Sequence, residues 1–117
     1  MIPGRDDDGP ELYEVRLSEV AETELDSFYL RRLKSSVEAA EKWFDEITRA
    51  FQSLEHFPHR YARVMSDEPR QADVRQFVHG KGANSSRIVY AIFEGAAEER
   101  GLVRILHIRS ATQQFGE

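Results

Sequence analysis

Ser86-Arg87-Ile88-Val89-Tyr90 and Val103-Arg104-Ile105-Leu106-His107-Ile108-Arg109 decide how this chain reads. Both segments are rich in β-branched and aromatic residues, the composition of strands. Each also interleaves arginine, histidine or serine with its apolar residues. A strand that buries one face keeps such groups on the other. A sheet with one polar, partly basic face is therefore the place where function is expected.

Working outward, Val74 to His79 reads as a further strand, Gly80-Lys81-Gly82-Ala83-Asn84 as a turn, and Gly95 to Gly101 as another. Strands at Val74–His79, Arg87–Glu94 and Leu102–Arg109 joined by short turns make an antiparallel meander. Upstream, Tyr13, Val15 and Leu17 alternate within Leu12–Leu17, the period of a half-buried first strand. Ser18 is a natural helix cap, Glu19 and Glu22 suit the positive end of a helix, and Ala21, Leu25 and Phe28 fall on one face. This predicts a first helix running to about Arg31.

Ser35-Ser36-Val37-Glu38 has the pattern of a capping box and predicts a second helix from Ser35. Its apolar stripe is Val37, Ala40, Trp43, Phe44, Ile47, Phe51 and Leu54, with Pro58 as the stop. His59 to Ala72 reads as a polar loop. The sum is an α+β fold of order β-α-α-β-β-β, an antiparallel αα-hairpin on one face of a mostly antiparallel sheet. Residues 12–117 form a single domain in this reading, behind a disordered tail at 1–11.

The chain has 117 residues and no cysteine, which excludes disulfides and thiolate metal sites and suits a cytoplasmic protein. No apolar run approaches the roughly 18 residues of a membrane helix. Nine acidic residues against Arg5 and Arg16 give residues 1–26 a charge of −7. The net charge is −5, so the rest of the chain is +2. Its arginines gather toward the later strands, which permits a local anion-binding surface on an acidic protein. Binding to duplex DNA by this chain alone is not expected, nor is a membrane partner. Of the four histidines only His56-x-x-His59 has even a loose ligand spacing, and Gly80-x-Gly82 reads as turn chemistry. No metal or cofactor is expected.

The strand ending Val15-Arg16-Leu17-Ser18 with Ala21 and Leu25 resembles the opening of the RelE/ParE toxin superfamily. So do Ala39-Ala40-x-x-Trp43-Phe44 with Ile47 and Leu54, the helix end Phe57-Pro58-x-Arg60-Tyr61, and Val74-Arg75 followed by Arg87-Ile88-Val89-Tyr90. Ile105-Leu106-His107-Ile108-Arg109 resembles the last strand, so the likeness spans roughly Tyr13 to Gln113. The resemblance implies the toxin half of a type II toxin–antitoxin pair, in the branch described as plasmid stabilisation proteins. Its obligate partner would be a cognate antitoxin. RelE-like members cleave mRNA on the ribosome, and ParE-like members poison DNA gyrase.

If the chain is a nuclease, the resemblance implies Arg75, Arg87, His107 and Arg109 as catalytic groups. They would surround the phosphorane and move its protons. Two features favour a ParE-like protein acting by contact. Phe77 stands where a strand lysine is needed, and Ser110-Ala111-Thr112-Gln113-Gln114-Phe115 replaces a basic tail ending in tyrosine. A non-toxic interaction domain is the third reading. Plainer roles are also open: ion pairs of Arg75 and Arg87 with Asp73 or Glu94, a sheet-edge role for His107, and packing roles for Tyr90 and Trp43. Phe28, Tyr29 and Leu30 cannot all face one core, so Tyr29 or Leu30 is expected on the antitoxin-docking surface.

Overall fold

The computed structural model describes residues 12–64, 73–96 and 99–111. Strand β1 (Tyr13–Leu17) leads into helix α1 (Glu19–Leu33) and helix α2 (Val37–Gln52). Strands β2 (Asp73–His79), β3 (Ser86–Phe93) and β4 (Gly101–Ser110) follow. The sheet order is β1-β4-β3-β2, with β2, β3 and β4 antiparallel as a meander and β1 parallel to β4. The β-α-α-β-β-β order is the one expected, and the helical hairpin lies on one face of the sheet. Among the described residues no helix is long and apolar enough to cross a membrane.

The core forms where apolar faces at period 2 and period 3.6 meet. Ile88, Tyr90 and Ile92 of β3, with Val103, Ile105 and Ile108 of β4, pack against Leu25 of α1 and Trp43, Ile47 and Phe51 of α2. Full burial of an Ile or Leu side chain is worth about 1.5–3 kcal/mol, so this layer carries most of the stabilisation. Gly101 opens β4 because any side chain there would collide: a Cβ would lie 2.7 Å from both the Phe93 carbonyl oxygen and the Tyr13 ring.

The helix boundaries differ from the sequence reading in two instructive ways. Ser36, not Ser35, caps α2; its backbone is extended (φ −164°, ψ 126°) and its Oγ accepts the Ala39 N–H at 3.0 Å. Glu38 is then one position too early to complete a reciprocal box. Nor does Pro58 stop the helix. The chain tightens into a 3₁₀ turn at Ser53–Glu55, which buries Leu54, before a second turn at Pro58–Arg60. Val37 and Phe44 leave the core stripe, at 59% and 39% exposure. They are two turns apart, on a row rotated away from the sheet. The segment 1–11, most of the loop ending at Ala72, and residues 112–117 lie outside the described residues.

Candidate functional site

Register and pleat assign each strand side chain to a face, because directly opposite residues share one and neighbours along a strand alternate. Tyr90 is fully buried on the helix side, and Arg75 is its partner across β2 and β3. Arg75 therefore points to the helix side. There its Nη1 donates to the carbonyls of His59 (2.7 Å) and Tyr61 (2.8 Å), and its Nε donates to Asp73 at 3.0 Å. Phe77 shares that face, stacked on Tyr61 at 4.4 Å between ring centroids. These contacts make Arg75 the clasp that holds the chain after α2 against β2.

Arg87 lies three residues before Tyr90 and so points the other way, onto the face opposite the helical hairpin. Arg87 pairs directly with Arg109, and Val89 with His107, which places Arg87, His107 and Arg109 together. The structure thus gathers three of the four residues that the nuclease reading names and leaves Arg75 on the opposite side of the sheet.

A β-bulge adds to the group a residue that simple alternation would not place there. Val89 pairs with His107 but Tyr90 pairs with Ile105, so Leu106 is the extra residue. Strict alternation from Arg104 would put His107 and Arg109 on the other face. The bulge resets the phase, and Arg104, opposite Ala91, joins them on the face away from the hairpin. Arg16, aligned with Arg104 across the parallel pair, extends the row and bonds Glu14 at 2.7 Å. Among the described residues neither Arg87 nor Arg104 has an ion-pair partner. The exposed Val78 (52%) and Phe93 (45%) lie on the same face and give it apolar as well as cationic character.

His107 sits at the edge of this surface, where β1 has ended and β4 would otherwise show unpaired backbone. Ser18 Oγ donates to the Leu106 carbonyl at 3.1 Å, and Glu24 Oε1 accepts the Ile108 N–H at 2.7 Å. The other Glu24 oxygen is 3.6 Å from His107 Nδ1, and Arg109 Nη2 approaches the same nitrogen at 3.3 Å. His107 is held between the two as part of an edge seal. Among the described residues no group of histidines and carboxylates is arranged to hold a metal ion.

On the hairpin, Tyr29, partly buried against the core, meets Phe44 edge-on at 5.5 Å between ring centroids and joins α1 to α2. Leu30 is 57% exposed beside it. Two tyrosines are sealed elsewhere. Tyr90 donates to the Pro58 carbonyl at 2.6 Å, and its burial pushes the phenol up to about 12. Tyr13 donates to Glu94 at 2.7 Å; burial first, and the bond to that carboxylate second, raise it to about 12.

A helical hairpin on one sheet face, with Arg16, Arg87, Arg104 and Arg109 on the other, makes this a small α+β domain. Residues 15–115 match the family model described as ParE toxin of type II toxin–antitoxin system, parDE, and the chain belongs to that family. Among solved structures the chain resembles one described as the chromosomal ParDE TA system from P. aeruginosa. The TM-score is 0.56 at 17% identity, covering 86% of this chain and 98% of that one. That likeness is one of fold. No curated protein matches the sequence.

Proposed function

We propose that this protein is a toxin that acts by protein contact, neutralised by a cognate antitoxin, with DNA gyrase as its target. What supports this reading is the composition of the sheet face opposite the hairpin. Arg87 and Arg104, without ion-pair partners among the described residues, share a face with exposed Val78 and Phe93, a mixture suited to an interface with an acidic protein surface. The nuclease alternative needs Arg75 beside Arg87, and Arg75 is committed to two carbonyls and Asp73 on the other side. The antitoxin's docking surface in this proposal includes Tyr29 and Leu30, where apolar area is exposed on the hairpin.

The test is induction in a bacterial host with supercoiling and mRNA cleavage followed side by side. Growth arrest with loss of gyrase supercoiling, relieved by paired Arg87→Ala and Arg104→Ala changes, is the expected result. Ribosome-dependent mRNA cleavage that disappears in Arg87→Ala overturns the contact mechanism in favour of the nuclease. Absence of growth arrest assigns the chain to non-toxic interaction domains. Protection of helix α1 from hydrogen exchange on adding the antitoxin tests the docking surface, and unchanged exchange at Tyr29 and Leu30 removes it.

A further inference from the structure

At the far end of the hairpin, away from the basic sheet face, the turn between α1 and α2 meets the Gly82–Asn84 turn. Between them is a cleft of about 340 Å³, whose walls include Phe28, Arg31, Arg32, Ser35, Asn84 and Ser85. Among the described residues no carboxylate lines it. Its described walls come from residues 28–39 and 83–85 and from Ser110; the stretches 31–37 and 80–87 carry Arg31, Arg32, Lys34, Lys81 and Arg87 with no acidic residue, and Glu38 follows the first of them. On a chain of net charge −5 this is a marked local concentration of positive charge.

The two arginines are differently engaged. Arg32 lies over the Trp43 ring at 4.3 Å from its centroid and spends Nη2 on the Asn84 carbonyl at 3.0 Å. Burial, and then the neighbouring Arg31 charge, lower its pKa, so the pair repels without a counter-ion. Arg31 only rests over Phe28, at 5.4 Å, and among the described residues it has neither a hydrogen bond nor an ion pair. Its place in the last turn of α1 suits the negative end of that helix, but leaves its fork of donors unused. The start of α2 contributes further: Ser36 Oγ satisfies the Ala39 N–H, and the first N–H groups of a helix turn outward.

A second observation marks the same corner as short of hydrogen-bond partners. Ser86 is fully buried, and Ser110, another cleft wall, is its partner across β3 and β4. The Ser86 hydroxyl has no partner among the described residues. The same is true of Nδ1 of His79, which faces Ser86 across β2, and of Nε1 of Trp43 beneath Arg32. Ser86, His79 and Trp43 do not themselves line the cleft, but three buried polar atoms with spare capacity next to its walls are uncommon in a finished core.

We propose that this cleft is a binding site for a phosphate monoester, gripped by Arg31 and Arg32, with Ser35 and Asn84 as further donors. Planar guanidinium forks match phosphate oxygens, and a water-excluding wall such as Phe28 strengthens the attraction. The site is separate from the sheet face and does not depend on toxicity.

The experiment is an amide NMR titration of the full chain with sodium phosphate, ionic strength being held constant with sodium chloride. Saturable shifts at Ser35, Val37 and Asn84 are expected. Arg31→Gln, at an exposed position without bonded partners, should fold normally and weaken binding about tenfold, the scale of one charge-assisted hydrogen bond. Arg104→Gln, on the sheet face, should leave phosphate binding unchanged. Shifts that do not saturate, that chloride alone reproduces, or that depend on Arg104 rather than Arg31 overturn the site. A parallel titration with uridine monophosphate identifies the source of the ester. Tighter binding than phosphate points to a nucleotide, and equal binding to the phosphate group alone; either result upholds the site.

Discussion

Arg87 and Arg109 stand directly opposite each other on β3 and β4, two like charges in register on the face away from the helical hairpin. Such a pair costs stability rather than supplying it. Arg109→Gln should therefore raise unfolding stability by about 0.2–0.5 kcal/mol. The same change should reduce growth arrest on induction. Denaturant midpoints checked against toxicity test this, and a destabilised variant would show that the pair serves the fold.

The Glu24 carboxylate closes the exposed edge of β4 by accepting the Ile108 N–H at 2.7 Å. Glu24→Ala should leave that amide unpaired at an open edge, costing about 1–2 kcal/mol and inviting association between chains. Hydrogen exchange at Ile108 should accelerate well beyond that of Ile88 in β3. Equal exchange in variant and parent would count against the seal.

The Tyr90 hydroxyl donates a hydrogen bond to the Pro58 carbonyl at 2.6 Å in a buried setting. Tyr90→Phe removes that bond and strands the carbonyl, for an expected loss of about 1–2 kcal/mol. Urea titration measures it. The effect should exceed that of Tyr29→Phe, because no hydrogen bond of the Tyr29 hydroxyl is seen among the described residues.

Alkaline pH gives an independent check. Tyr13 and Tyr90 are both raised from 10 to about 12 in the folded chain, burial being the first cause for each. A phenol raised on folding keeps its proton longer in the native state. Its stabilising contribution is complete below pH 10 and fades as pH rises from 10 toward 12, because the unfolded chain ionises first. Ultraviolet titration of the native protein should show two of the four tyrosines ionising late, together with unfolding. Four phenols titrating near pH 10 in folded protein would contradict the burial of both.

Arg32 over Trp43 joins α1 to α2 while its Nη2 reaches the Asn84 carbonyl on the loop before β3. Arg32→Ala should cost about 1–3 kcal/mol through lost ring contact and lost bonding. Arg32→Lys should restore only part of this, since an ammonium cannot both stack flat and reach the loop. Thermal unfolding followed by the single tryptophan's fluorescence reports both effects.

The sequence by itself determined the elements and their layering. Alternation in Tyr13–Leu17 and the later strands, and the helical spacing of Ala40, Trp43, Ile47 and Phe51, are local patterns that burial enforces at every step. They required one helical layer on one sheet face. Only the tertiary structure decided which cations stand together. Arg75 and Arg87 look alike in sequence, yet cross-strand register sends one to the helix side and the other to the open side. Nothing in Arg104 to Arg109 signals that the extra residue is Leu106. The cleft at the hairpin's end joins segments some fifty residues apart. Face, phase and long-range meeting depend on how strands pair, and pairing is a property of two segments together.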